Sequence, residues 1–350
     1  MKRMVFSISM AALMLSFTAN AQDWGKLSRD EITRNGKTAI AVGNNDIVYA
    51  VYDDASSGRQ LTVAQIKNGK VSKIGTGLSK TAAINPTIVI DPKSGDPVVA
   101  SLEYIGSTVT ASRLQDGKSW VTLGKGPITT DKLNGFALGF DKNGELYAAV
   151  GNTTQQTTVL YKLENDNWKE VALLEGGASN QIKLAFDSKN QLLMAYAHPK
   201  GKKAVLMTLK NDKLVTLGEA SQKEVRYLSL ALNGDKPVVS YQDYFTGALE
   251  VKEFSNNNWA ALIPPQVGSF DESSLAIGTD GTPYVSYHYT KSGHETIVKC
   301  FKDGEWKQVG KLNEAFGTTG YYTSLQFKDN KLYLCTKADG VGATVLKTTL

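Results

Sequence analysis

The sequence predicts an all-β fold: a seven-bladed β-propeller of four-stranded antiparallel blades whose last blade is closed by the N-terminal strand. Three observations predict it. A hairpin signature recurs seven times, and a tryptophan slot recurs seven times out of phase with it. In both series successive copies lie 45 to 49 residues apart, the length of four short strands with their turns.

Within each copy, strand A is an alternating apolar run such as "LAIG" from Leu275. A turn of Gly, Asn or Asp follows, and then strand B, rich in Val, Tyr and Ala, such as "PYVSY" from Pro283. Two such runs around such a turn are the pattern of a hairpin. The residue leading each second run falls at Asp46, Gly95, Gly144, Asn190, Asp235, Gly281 and Asn330. Strand C is a third run, as in "IVKCF" from Ile297. Strand D follows a turn of Asn, Asp and Gly, as in "WKQVG" from Trp306, with an aliphatic residue three positions after the aromatic one. Its slot holds Trp24, Val71, Trp120, Trp168, Leu214, Trp259 and Trp306, which accounts for all five tryptophans of the chain. One such sheet has two apolar faces and buries neither alone; radial packing of blades buries both.

The phase difference between the series predicts the closure. Trp24 precedes any hairpin, while the last hairpin, at Asn330, is followed by "GATVLKTTL" and by no further slot. The seventh blade therefore takes strands A, B and C from the C-terminal end and strand D from the segment of Trp24. In architecture residues 23–350 resemble seven-bladed propellers of the WD40 and kelch type, in which one blade is shared between the two chain ends. The Gly-His and Trp-Asp pairs of the first and the double glycine of the second do not recur from repeat to repeat, so the resemblance implies a fold and its closure, and no function. The "DKNGELY" and "TDGTPY" turns look similar to the Asp-box turn of sialidases, yet no repeat meets the Ser-x-Asp-x-Gly-x-Thr-Trp pattern.

Residues 1–21 read as a secretory signal peptide, with Lys2 and Arg3 as the charged start, Met4 to Phe17 as the apolar run and Ala19-Asn20-Ala21 as the cleavage site. The expected mature chain, 22–350, is a single propeller domain, periplasmic or secreted. No cysteine near the cleavage site offers a lipid anchor, and no later stretch approaches the roughly 18 apolar residues of a membrane span. Removing Lys2 and Arg3 lowers the formal charge from +5 to +3, a near balance that excludes a basic stripe for nucleic acid. Cys300 and Cys335 are the only thiols, too few for a stapled scaffold, and read as small buried hydrophobes.

In a propeller the loops leaving strand B and entering strand A share one face, around the mouth of the central channel. Two positions after the common tyrosine of strand B (Tyr52, Tyr196, Tyr241, Tyr287) the repeats carry Asp54, Glu103, Asn152, His198, Asp243, Tyr289 and Ala338. Repeat-specific residues at equivalent loop positions suit a ligand-facing surface; the plainer account is that they close turns or are solvated. The tyrosines themselves read as packing between blades. An aromatic set joins the same loops: Tyr104, Tyr227 beside Arg226, Tyr244 and Phe245, Tyr321 and Tyr322. With Asp54, Glu103, Asn152, His198, Asp243, His288 and Tyr289 these complete the ligand-binding candidates, because exposed aromatics beside polar groups recognise sugars and peptides.

Catalytic patterns are weaker. The mature chain has five arginines at unlike repeat positions, which does not suit the carboxylate grip of a sialidase. Asp54, Glu103 and Asp243 hold equivalent positions in blades 1, 2 and 5, and would serve a glycosidase or lyase if they converged to roughly 5–10 Å. The histidines lack metal-site spacing, Asp53 and Asp54 lack the spaced ligands of a calcium loop, and no phosphate or dinucleotide fingerprint appears. No cofactor or metal is expected. The expectation is a monomeric binding or scaffolding module for a glycan or peptide ligand, or for another envelope protein; a carbohydrate-active enzyme is the alternative.

Overall fold

The computed structural model describes residues 24–33, 36–264, 270–290, 293–312, 316–318, 322–338 and 342–350. They form seven sheets of four antiparallel strands, six of them following the order of the chain. Blade 1 runs from Thr38 to Gly75, blade 2 from Ala83 to Pro127 and blade 3 from Leu133 to Glu175. Blade 4 runs from Ile182 to Glu219, blade 5 from Val225 to Ala261 and blade 6 from Phe270 to Gln308. Blade 7 takes three strands from Ser324–Lys328, Lys331–Ala338 and Gly342–Thr349, and its fourth from Gly25–Lys26. Strand A of every blade touches strand A of the next, blade 7 against blade 1 included, so the architecture is the predicted seven-bladed propeller.

The closing strand is shorter than its slot suggests. Gly25 pairs with Lys347 and Lys26 with Leu346, and the pairing continues irregularly through Leu27 N to Val345 O at 2.8 Å and Ile32 N to Ala343 O at 2.9 Å. Trp24 stands just ahead of the ladder. It is buried, and its Nε1 donates to Val309 O of blade 6 at 2.8 Å. The tryptophan thus ties blade 7 to blade 6 while the residues after it complete the sheet.

The same logic explains the slot elsewhere. Trp120 Nε1 donates to Ile74 O of blade 1 at 2.8 Å, and a Cβ on Gly75, Gly124 or Gly218 would collide with or crowd Trp120, Trp168 or Trp259 of the following blade. A glycine in one strand D therefore makes room for the next tryptophan. The hairpin landmarks also have a backbone cause: Asp46, Gly95, Gly144, Asn190, Gly281 and Asn330 all lie at φ between 56° and 84°, a left-handed region that Gly, Asn and Asp enter at least cost. In blade 5 Gly234 takes that conformation, and Asp235 instead accepts from Ser188 N and Oγ of blade 4, both at 2.6 Å.

Seven apolar clusters fill the seams between blades. One joins Ile40, Ala50 and Tyr52 of blade 1 to Tyr333, Cys335 and Val345 of blade 7. The recurrent Tyr52, Tyr196, Tyr241 and Tyr287 are all buried, which is the packing role expected of them. Cys300 and Cys335 are both free thiols.

Candidate functional site

Antiparallel pairing sets the start of each strand A beside the end of strand B: Thr38 faces Tyr52, Ala83 faces Glu103 and Val225 faces Asp243. This is the channel mouth. It opens into a cavity of about 550 Å³ to which strand A of all seven blades contributes residues, a volume within the range of small-ligand pockets.

Bulges shape that cavity. The pairing of strands A and B slips between Ile84 and Thr87 in blade 2, Leu133 and Gly135 in blade 3, Arg226 and Ser229 in blade 5, and Asp271 and Ser273 in blade 6. An extra residue in one strand re-aims its side chain. Asn85, Tyr227 and Glu272 occupy the slips at φ of 51°, 54° and 41°, and all three line the cavity. Asparagine enters this region readily; tyrosine and glutamate do so at a cost of roughly 1–3 kcal/mol. Neighbouring blades take up the displaced backbone groups, since Leu228 N donates to Gln181 Oε1 at 3.1 Å and Ser273 Oγ to Tyr227 O at 3.4 Å. In blade 3 the slip holds Asn134, and at the next residue, Gly135, a Cβ would strike the backbone of Asn180.

Charged groups from separate blades meet in the channel. Lys37 at the entry to blade 1 pairs with Glu272 of blade 6 at 2.7 Å and reaches Asn85 Oδ1 of blade 2 at 3.4 Å. Its backbone N donates to Asp53 Oδ1 at 2.7 Å, and Asp53 is gripped in turn by Arg59 Nε and Nη2 at 2.8 and 2.6 Å. Lys183, from strand A of blade 4, also lines the cavity. Enclosure by the channel walls lowers its amine pKa, and the charge of Lys37 lowers it further, against an opposing pull from Glu272. At the rim, the Arg226 guanidinium lies 4.1 Å from the centre of the Tyr244 ring. Tyr244 meets Phe245 edge-on at 5.3 Å, and Phe245 is 68% exposed.

The loop residues named from the sequence are placed as follows. Asp54 is buried; Ser56 N and Oγ donate to its Oδ1 at 3.0 and 2.6 Å, and Lys73 pairs with it at 2.6 Å. Burial alone would raise its carboxyl pKa, but Lys73 and Ser56 outweigh that and hold it below the usual range. Glu103 accepts from Lys80 N at 3.0 Å and from Thr81 N and Oγ1, each at 2.7 Å. Asn152 donates to Asp131 at 2.7 Å and accepts from Gln155 N at 3.0 Å. Asp243 accepts from Phe245 N at 3.0 Å and Thr246 N at 2.8 Å. His198 Nδ1 accepts from Lys200 N at 3.1 Å. Each of these five holds the backbone of its own or an adjoining loop, and none lines the channel cavity.

His288 is fully enclosed, with Nε2 3.2 Å from Thr336 Oγ1 of blade 7, and burial pushes its pKa down to about 3. Tyr289 is half-buried against the seam of blades 5 and 6. Tyr322 is half-buried and its phenol pKa is raised by burial. Tyr104 is 69% exposed on the loop of blade 2, and Tyr321 lies outside the described residues. Arg226, Tyr227 and Tyr244 are the predicted residues that the fold assembles at the cavity or its rim. Lys37, Lys183 and Glu272 are the residues that loop arithmetic passes over. Their signal is a charge at or inside the apolar strand A, as in "QIKLAF" around Lys183 and "FDESSLAI" around Glu272.

No family model matches the chain, and no curated protein does. Among solved structures, a puromycin-hydrolysing peptidase from Mycobacterium tuberculosis aligns with 94% of this chain and 54% of its own at 10% identity and a TM-score of 0.61. The chain thus spans about half the length of that peptidase. An oligogalacturonate lyase from Vibrio parahaemolyticus aligns over 95% of this chain and 94% of its own, at 8% identity and a TM-score of 0.62. A variant of the Aleuria aurantia lectin in complex with Fucalpha1-6GlcNAc aligns over 78% and 94%, at 12% identity and a TM-score of 0.50. Likeness at these identities is likeness of fold.

Proposed function

We propose that the protein is an exported binding module that holds a carbohydrate at the mouth of its channel. The observation that carries this reading is the exposed Arg226–Tyr244–Phe245 cluster standing at the rim of a 550 Å³ cavity. Flat aromatic faces beside a cation and a polar, bulge-lined channel suit a sugar ring, which offers an apolar face to stack on and hydroxyls to orient. Two of the similar folds belong to proteins named for saccharides, the lyase and the lectin, which favours a sugar over a peptide. Export follows from the charged start, apolar run and small-residue cleavage site of residues 1–21.

Binding is preferred to hydrolysis because Asp54, Glu103 and Asp243, the carboxylates that catalysis would use, each accept hydrogen bonds from the backbone of their own or an adjoining loop. A glycan array followed by isothermal titration on the mature chain tests the proposal. Binding is expected, with a loss of roughly tenfold or more in a Tyr244→Ala, Phe245→Ala variant whose melting is unchanged. Absence of sugar binding, together with co-purification of a single envelope protein, would replace the carbohydrate with a protein partner.

A further inference from the structure

Among the described residues that line the channel cavity, Lys37, Lys183 and Arg226 are cationic and Glu272 alone is anionic. The chain as a whole is close to charge balance, so the excess is local. Its members are not equivalent. Lys37 is paired with Glu272, and Arg226 lies over Tyr244. The Lys183 side chain has no hydrogen bond or ion pair among the described residues, and it shares the cavity with Lys37 of blade 1 and Glu272 of blade 6, well round the ring from its own blade 4. It is exposed beside the buried Ile182 and lines the cavity, so its exposure is toward the channel.

Two ammonium groups lining one confined cavity repel, and an anion between them turns the repulsion into two attractions. The Asp53–Arg59 brace on the Lys37 backbone and the Glu272 contact on its Nζ hold one of the two in place before any ligand arrives. Such preorganisation lowers the cost of binding. The arrangement suits a compact oxyanion of one negative charge, since Glu272 already neutralises one of the two lysines.

We infer that the channel binds a carboxylate between Lys183 and the Lys37–Glu272 pair, and that the ligand is an acidic sugar whose ring lies toward the aromatic rim. The second clause rests on the carbohydrate reading above; the first does not. The chemistry of the anion is shared with inorganic phosphate and with simple carboxylates, so the test carries arms for each.

Isothermal titration with trigalacturonate and with neutral galactotriose is paired with nuclear magnetic resonance titration of the lysine-labelled protein with acetate and inorganic phosphate. The expected result is preference for the acidic trisaccharide. Lys183→Met should cost roughly 10- to 100-fold for trigalacturonate and little for galactotriose, and Lys183→Arg should retain most of the affinity. Rising salt should weaken the acidic ligand in the wild-type protein, a measurement that requires no variant to fold. Lys183-dependent binding of acetate or phosphate without sugar binding would uphold the anion site and overturn the carbohydrate reading. Equal binding of both trisaccharides, unaffected by Lys183→Met, would overturn the anion site and leave the carbohydrate reading standing. Absence of binding by all four probes would overturn both.

Discussion

If the N-terminal segment closes the ring, perturbing it should cost more than its few residues suggest. Trp24 is 8% exposed, and its indole N–H is paired with Val309 O. Replacing a buried aromatic with alanine costs about 3–5 kcal/mol, and leaving the Val309 carbonyl without its donor adds about 1 kcal/mol. With an unfolding entropy of about 2.1 cal/mol/K per residue, a chain of this length has a midpoint entropy near 0.7 kcal/mol/K, so Trp24→Ala should lower Tm by roughly 6–9 °C. Deleting residues 22–30 should do more. It removes the Gly25–Lys347 and Lys26–Leu346 pairs as well, leaving the last strand of the chain as an open edge with Val345 and Leu346 uncovered. Calorimetry and urea unfolding measure both, with Trp168→Ala as the reference: that ring is only half-buried and its N–H lacks a partner. Full retention of Tm after the deletion, or a larger loss in Trp168→Ala than in Trp24→Ala, would refute the closure reasoning.

Gly75→Ala should lower stability by about 1–3 kcal/mol, because its Cβ would collide with Trp120. Gly25→Ala, with nothing within 4 Å of the added Cβ, should be nearly neutral in the same urea titration. His288 titrates near 3 when folded against 6.5 when free, so the folded state binds fewer protons. Its contribution is complete above pH 6.5 and is lost as pH falls from 6.5 toward 3. His288→Gln should flatten that part of the Tm–pH curve, and an unchanged slope would contradict it. Asp54, whose carboxyl pKa is lowered, contributes above its unfolded value of 3.8 and loses that contribution as pH falls below it. Asp54→Asn should therefore be less stable than wild type at pH 7, and the gap should narrow at pH 2 to 3 in thermal melts.

What the sequence alone determined is whatever depends on neighbours along the chain. Alternation with period two, left-handed turn residues and the interval of 45 to 49 residues are local properties, so the strands, the count of blades and the split seventh blade could be read from residues such as Asp46, Asn330 and Trp24. The slot tryptophans were legible as a repeat, although the glycines that receive them acquire a reason only when one blade lies against the next. For the site, Arg226, Tyr227 and Tyr244 were legible as chemistry at the channel mouth, although Arg226 and Tyr227 belong to strand A of blade 5 and Tyr227 is half-buried. Asp54, Glu103 and Asp243 were legible as a set of equivalent positions with turn closure as the plainer account, and the path of each loop decided for that account. Tertiary structure alone decided the channel. Lys37, Lys183 and Glu272 belong to blades 1, 4 and 6, and a charge within strand A shows its role only when a ring brings the inner strands together and a bulge turns Glu272 inward. Ring curvature and bulge geometry are properties of packed backbone, and hydrophobic periodicity carries no record of either.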